Sequence, residues 1–377
     1  MTDFTMMDLC AGIGGIRRGF ELTGRFRNVL SAEIEPNACA AYKHLYGDDP
    51  TNDLTSEEFK KKTRNLSCDI LAAGFPCQTF SRAGKKAGFQ DEEKGIIFFA
   101  IRDIILGMKR RPKVLVLENV DNLLTHDRGR TFKKILDVLI NDLDYHVVGA
   151  KQDAKTGEVT FCAKDFVRNS RNFGVPQNRP RVYIIAFDKK RYKKGLKHIP
   201  VATPEKNDAC LYESLNDLLD KDVDAKFFLS EGYLETLEKH AIREKSKGNG
   251  FGYKIVNLPE IVKPIANTIL ATGGSGRERN LVLDKKNGRK YAGKMVPLKK
   301  SPVNNKNVRS MTPNEWGKLQ GFVNYGFKTG EVDEFSLPEN MSDVAKYKLF
   351  GNAVTVPVAQ TMAEFVLDCL DLLEGSN

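Results

Sequence analysis

The sequence predicts an α/β protein, a doubly wound and mostly parallel sheet joined to a second, smaller, loop-rich domain. Three observations predict it. Over the first 188 residues short apolar runs alternate with amphipathic stretches, the pattern of strands joined by crossover helices. From about Lys189 the periodicity fades and Lys, Gly and Asn accumulate. The last stretch regains helical spacing, with Val358, Met362, Phe365, Val366, Cys369, Leu370 and Leu373 on one stripe. That stripe needs a core, and the sheet is its host. The chain is therefore expected to leave its first domain and return: residues 1–188 with 339–377 form one domain, and 189–338 the other.

The elements follow in order. Short apolar runs place strands over 4–9, 29–32, 69–73, 114–117, 146–150 and 181–187. Amphipathic spacing places helices over 35–45, 95–108 and 130–143. Residues 189–195, nearly all Lys, Arg and Tyr, read as a basic linker. Sheets of this kind bind ligands at the carboxyl ends of their strands, so the loops after strands are where chemistry is expected.

The 377 residues are 41% hydrophobic and 29% charged, enough apolar content for a sizeable core. No run of eighteen apolar residues occurs, which argues against a membrane span, and the N-terminus lacks the pattern of a secretory leader. The seven cysteines are an odd number with no Cys-x-x-Cys pair. That disfavours a disulfide framework or a zinc ribbon, leads us to expect no metal, and favours a reducing compartment. The net charge of +10 is unevenly spread. Residues 189–309 hold 26 Lys+Arg against 14 Asp+Glu, and the rest of the chain 33 against 35. The excess reads either as a solvated lysine-rich surface or as a domain that meets a polyanion, above all nucleic acid.

The first strand ends in Asp8-Leu9-Cys10-Ala11-Gly12-Ile13-Gly14-Gly15-Ile16-Arg17. A dinucleotide turn of the form G-x-G-x-x-G needs glycine where Arg17 stands, which disfavours a nicotinamide cofactor. A glycine turn without diphosphate geometry suits S-adenosylmethionine. Glu33, after the second strand, suits its ribose hydroxyls, and Asp53 its adenine amino group. Gly74-Phe75-Pro76-Cys77-Gln78 follows the third strand, and a cysteine there is either a buried small hydrophobe or a presented nucleophile. Residues 81–91, with Arg82, Lys85, Lys86 and two glycines, read as a basic lid. Glu118 ends a wholly apolar strand, where desolvation raises a carboxyl pKa and suits it to act as an acid. Arg179 and Arg181, two apart on an extended segment, share a face.

Taken together, Gly74-Phe75-Pro76-Cys77-Gln78, Glu118-Asn119-Val120, Gln177-x-Arg179-x-Arg181 and Gly351-Asn352-Ala353-Val354 resemble the cytosine-C5 DNA methyltransferase family. So do the 8–15 turn and the 309–322 segment, and the motifs run in family order over nearly the whole chain. The length is similar to compact bacterial and phage members of restriction–modification type. The resemblance implies a Rossmann-like, class I methyltransferase fold that uses S-adenosylmethionine, releases S-adenosylhomocysteine and needs no metal.

By the same resemblance Cys77 is the nucleophile that adds to cytosine C6, Glu118 holds the proton at N3, and Arg181 binds O2 with Arg179 in support. Ala11, Gly12, Ile13, Gly15, Asn352 and Val354 serve the methionine end of the cofactor, with Gly74 and Pro76 alongside. Glu33 serves the ribose, and Ile34, Asp53, Leu54 and Ile97 the adenine. Cys10 stands where the family has Phe, and Ile34 where some members have Trp. The basic third becomes a target-recognition domain for double-stranded DNA, with Ser81, Arg82, Thr268, Gly273, Gly274, Arg277 and Arg279 as DNA contacts. The implied protein is a cytoplasmic monomer whose cognate restriction endonuclease, where one exists, works independently of it and of any membrane. Two rivals share the catalytic domain, a transfer-RNA methyltransferase and a catalytically silent DNA-binding relative.

Overall fold

A computed structural model of the chain describes residues 4–76, 96–153, 155–248, 253–272 and 277–375. The first half alternates strand and helix: β1 (Phe4–Leu9), α1 (Gly15–Glu21), β2 (Phe26–Ala32), α2 (Pro36–Tyr46), α3 (Glu57–Arg64), β3 (Ile70–Gly74), α4 (Ile96–Gly107), β4 (Val114–Val120) and α5 (Arg130–Asp137). Short strands follow, β5 (Tyr145–Val147), β6 (Ala150–Gln152), β7 (Val159–Phe161), β8 (Val167–Asn169) and β9 (Gln177–Asn178), and then the long β10 (Pro180–Asp188).

The main sheet runs β2-β1-β3-β4-β10-β5, with β8 also on β10. β1 pairs parallel with β2 and β3, and β3 with β4, whereas β10 is antiparallel to β4, β5 and β8. One strand is thus reversed in a mostly parallel sheet, the arrangement of a class I methyltransferase. The reversal brings the amino end of β10 beside the carboxyl end of β4, with Arg181 opposite Val120 and Tyr183 opposite Glu118.

Alternation along the strands supplies two cores, one on each face. Met7 and Leu9 point to the face covered by α4 and α5, and Phe4 and Met6 to the face covered by α1 and the last helix. That helix, Val356–Glu374, carries the expected stripe. Thirteen of its nineteen residues are buried, each large apolar side chain contributing about 1.5–3 kcal/mol. The helical stretch 343–374 is long and apolar enough to qualify as a span, but 83% of its most apolar window lies inside the fold, so it is a core helix. Gly19 of α1 is where it crosses: a Cβ there would stand 2.5 Å from that of Ala359.

Three expectations change in detail. The run 146–150 breaks into β5 and β6 because the chain turns at Gly149, whose φ is +90°. The helix over 130–143 finishes in a wide turn, Val138–Asp142. The basic stretch 189–195 is not a free linker: α6 (Lys189–Tyr192) and the turns of 193–198 lie on the sheet, burying Tyr192 and Leu196 with Ile199 in the second core. The lysines mask an apolar spacing of three to four residues.

The basic third holds α7 (Leu215–Leu218), α8 (Glu231–Ser246), β11 (Ala266–Asn267), β12 (Leu281–Leu283), α9 (Lys285–Tyr291) and β13 (Val308–Ser310). Two small clusters support it, Leu229, Leu234, Leu281 and Val308 in one and Val223, Phe228 and Val303 in the other. The return runs through α10 (Pro313–Leu319) and α11 (Asp343–Asn352) to α12, the last helix.

Candidate active site

The carboxyl ends of β1 to β4 and the start of β10 surround a cavity of about 490 Å³. Its floor is the glycine turn. Gly12 has φ +55°, and a Cβ there would meet nothing within 4 Å, so the missing side chain leaves open space. Glu33 reaches across from β2. One carboxylate oxygen accepts from the Gly12 N–H at 2.7 Å, and the other from the N–H groups of Ile34 and Glu35 at 2.8 and 2.9 Å. Asp53 holds Thr55 through one oxygen only, Oδ1. These two acids mark one end of the cavity.

The other end carries Glu118 and Arg181. Glu118 is buried, and its Oε1 lies 3.4 Å from the Arg181 Nε. Burial raises its pKa, opposed by Arg181 and Arg179. Arg181 also donates to the Pro180 carbonyl at 2.7 Å. Arg179 is buried and tied to backbone: it donates to the carbonyls of Ile269, Gly351 and Ala353, each at 2.9 Å. It joins the strand end, the basic third and the returning chain, and keeps two cations side by side on the wall. Between the two ends, Gly74 and Pro76 lie on the wall, and the Asn119 amide donates to the Phe75 carbonyl at 2.9 Å. Cys77 follows directly and lies outside the described residues.

Of the residues singled out in the sequence, Gly12, Ile13, Glu33, Ile34, Asp53, Leu54, Gly74, Pro76, Ile97, Glu118, Arg179, Arg181 and Asn352 line this one cavity. Ala11, Gly15 and Val354 are not among its lining residues. A Cβ on Gly15 would strike the Val354 carbonyl at 2.4 Å, so that glycine serves the packing of the turn on the returning chain. Thr268 donates to the Asn178 carbonyl at 2.7 Å, and the Arg277 guanidinium sits 5.0 Å from the Tyr347 ring centroid. The Arg279 carbonyl accepts from the Asn267 amide at 2.8 Å. Ser81, Arg82, Gly273 and Gly274 lie outside the described residues.

Sequence reasoning passed over several wall residues. Lys348 of α11 donates to Glu35 at 3.3 Å across the rim, and Leu270 and Ala271 bring backbone of the basic third into the wall. Gly351 makes that approach possible, since a Cβ would lie 2.4 Å from the Leu270 carbonyl carbon. Only the glycine in Gly351-Asn352 signalled it. Cys10 also lines the cavity at φ +52°, and burial, with the Glu33 and Asp8 carboxylates, pushes its thiol pKa up.

A family model described as C-5 cytosine-specific DNA methylase matches residues 4–367. The chain belongs to that family. Among its relatives, the type II methyltransferase M.HpaII of Haemophilus parainfluenzae is 40% identical over 370 residues, covering 97% of this chain and 90% of the relative. The type II methyltransferase M1.ScrFI of Lactococcus lactis subsp. cremoris is 37% identical, covering 98% and 79%. The solved structure of the Entamoeba histolytica methyltransferase EhMeth aligns with TM-score 0.66 at 19% identity, covering 98% of this chain and 99% of that one. The methylase is accordingly an enzyme of the DNA cytosine-5 methyltransferase class.

Glu118 gives this methylase a pH signature. Its folded pKa is raised above the ordinary carboxyl value, chiefly by burial. Within that window the folded state keeps a proton that the unfolded chain releases, so its contribution to stability is complete on the acid side and is lost as pH rises. Glu118→Gln is expected to match the wild type near pH 4 and to exceed it at pH 8, by ~1.4 kcal/mol for each unit of displacement. Urea unfolding at both pH values measures this, and a variant weaker at pH 8 contradicts it.

Proposed function

We propose that this methylase transfers a methyl group from S-adenosylmethionine to C5 of a cytosine in double-stranded DNA, with residues 189–338 as the target-recognition domain. One observation carries the reading: a single cavity joins the Glu33–Asp53 end to the Glu118–Arg181 pair, and its wall includes Pro76, the residue before Cys77. The first end fits the cofactor. Gly12 leaves room above the turn, Glu33 is oriented by three backbone N–H groups, Asp53 holds Thr55 through Oδ1 so that Oδ2 would accept from an amino group, and exposed Ile34 offers an apolar face. S-adenosylmethionine, when bound, supplies an electrophilic methyl group and leaves as S-adenosylhomocysteine.

The residues of the chain do the rest. Cytosine C5 is a poor nucleophile until a thiolate adds at C6. Cys77 makes that bond, the electron pair moves toward N3, and Glu118 supplies the N3 proton. Arg181 holds the O2 atom against the charge that develops, and Arg179 fixes the strand end that carries it. C5 takes the methyl group, its proton leaves to a base, the thiolate is expelled, and the N3 proton returns to Glu118. Cys77 cannot reach C6 inside a base stack, so the cytosine is flipped out. The type II relatives, together with the basic third, favour DNA over transfer RNA and a restriction–modification setting in a bacterial cytoplasm, the enzyme acting as a monomer independently of any endonuclease.

Bisulfite sequencing of a plasmid from cells expressing the protein tests this. Protected cytosines are expected at one short sequence and nowhere else. Full conversion everywhere, in cells holding folded protein, overturns the reading.

A further inference from the structure

Residues 285–309 contain nine Lys+Arg and no Asp or Glu. Within them the chain makes a hairpin beyond α9. Gly293 donates to the Val303 carbonyl and Val303 to the Lys294 carbonyl, both at 2.9 Å, and Lys299 closes the tip onto the Val296 carbonyl at 3.3 Å. The base is anchored by Val303, buried with Val223 and Phe228.

The tip itself is unusual. Pro297 and Leu298 occupy the central positions of a turn, with φ +68° at Leu298, where a type II turn ordinarily takes Gly or Asn. A branched L side chain in that region costs free energy, and it is not repaid by packing, because Leu298 is fully exposed at 105%. Met295, 62% exposed, stands next to it. Around this apolar tip Lys294 and Lys300 have no ion pair among the described residues, and Lys299 bonds only the Lys226 carbonyl, at 3.1 Å. Lys226 pairs with Asp343 at 2.7 Å, at the start of the helix whose far end lines the cavity. The hairpin is therefore tied to the frame of the active site.

We infer that this hairpin is a DNA-contacting finger, its lysines seated on phosphates and Leu298 buried against base edges as an apolar wedge. The inference rests on duplex DNA being the substrate. Charge selects that partner: a tip without acids, flanked by Lys294 and Lys300 with no ion pair among the described residues, matches a polyanion. Strain retained at an exposed leucine marks a side chain that is useful only in the complex.

Leu298→Gly relaxes the turn while deleting the wedge. The full-length variant is expected to unfold at a denaturant concentration no lower than wild type, and to bind a duplex carrying the methylated site ~10-fold or more weakly. Its dependence of affinity on salt should keep the wild-type slope, because no phosphate contact is lost, whereas Lys300→Ala should flatten the slope by about one unit. Leu298→Phe should restore tight binding. A Leu298→Gly variant that binds within twofold of a methylating wild type overturns the finger and leaves the proposed function standing. A wild type that methylates no plasmid cytosine overturns both.

Discussion

Replacing Cys77 by serine is expected to leave a protein that folds and binds duplex DNA but no longer methylates it. A hydroxyl is a far weaker nucleophile than a thiolate at neutral pH, yet the two side chains are nearly the same size. Removal of a covalent nucleophile costs on the order of 10⁶-fold in turnover. The described frame just upstream has its own support: Phe75 is buried and its carbonyl accepts from the Asn119 amide. Trapping separates loss of chemistry from loss of binding. On a duplex with 5-fluorocytosine at the target, the wild type should form an adduct that survives denaturation, because fluorine replaces the C5 proton needed for elimination. Cys77→Ser should form none. Methylation by the serine variant within tenfold of wild type rules out the covalent route.

Arg309→Met is expected to lower stability by about 3–5 kcal/mol, the cost of breaking a buried pair from one side. The Arg309 and Glu315 side chains are both 0% exposed and pair through two bonds, of 2.9 and 2.7 Å, and Arg309 also donates to Asp284 at 2.8 Å. Glu315 caps α10 through Thr312 and accepts the Asp220 N–H at 2.8 Å. One guanidinium thus ties the start of α9, the strand β13 and the return of the chain. Methionine fills the space but leaves two carboxylates unpaired. Guanidinium-chloride unfolding measures the loss, and a change below ~1 kcal/mol contradicts the assignment. Arg309→Lys should recover only part of it, since an ammonium cannot bond both Glu315 oxygens in a plane.

What the sequence reveals depends on whether the signal is local. The strand over 4–9 is read correctly to the residue, because a period of two with apolar groups on both faces needs no context. The acids and glycines now on the cavity wall are legible because strand ends are legible, and ligands collect there. The direction of β10 is not, since an apolar run buried on both faces looks the same parallel or antiparallel. The Lys189–Tyr192 helix hides behind its lysines, which cover the surface with their stems while Tyr192 turns inward. Hardest to foresee is the backbone role of Arg179: its three carbonyl partners, at 269, 351 and 353, are brought together only by the fold.

The packing of the first helix on the last has a consequence for how the protein is made. Ile16 and Phe20 emerge from the ribosome early, and Val358, Met362 and Val366, which complete their core, come more than 300 residues later. Until then the part of this sheet face that the last helix covers stays open, exposed to sticking and misfolding. Closing so long a loop is slow rather than forbidden, because its entropy cost grows only with the logarithm of its length. This side of the sheet therefore cannot finish folding until the Val356–Glu374 segment has been made. A chain cut off before Val358 lacks the residues that complete this core.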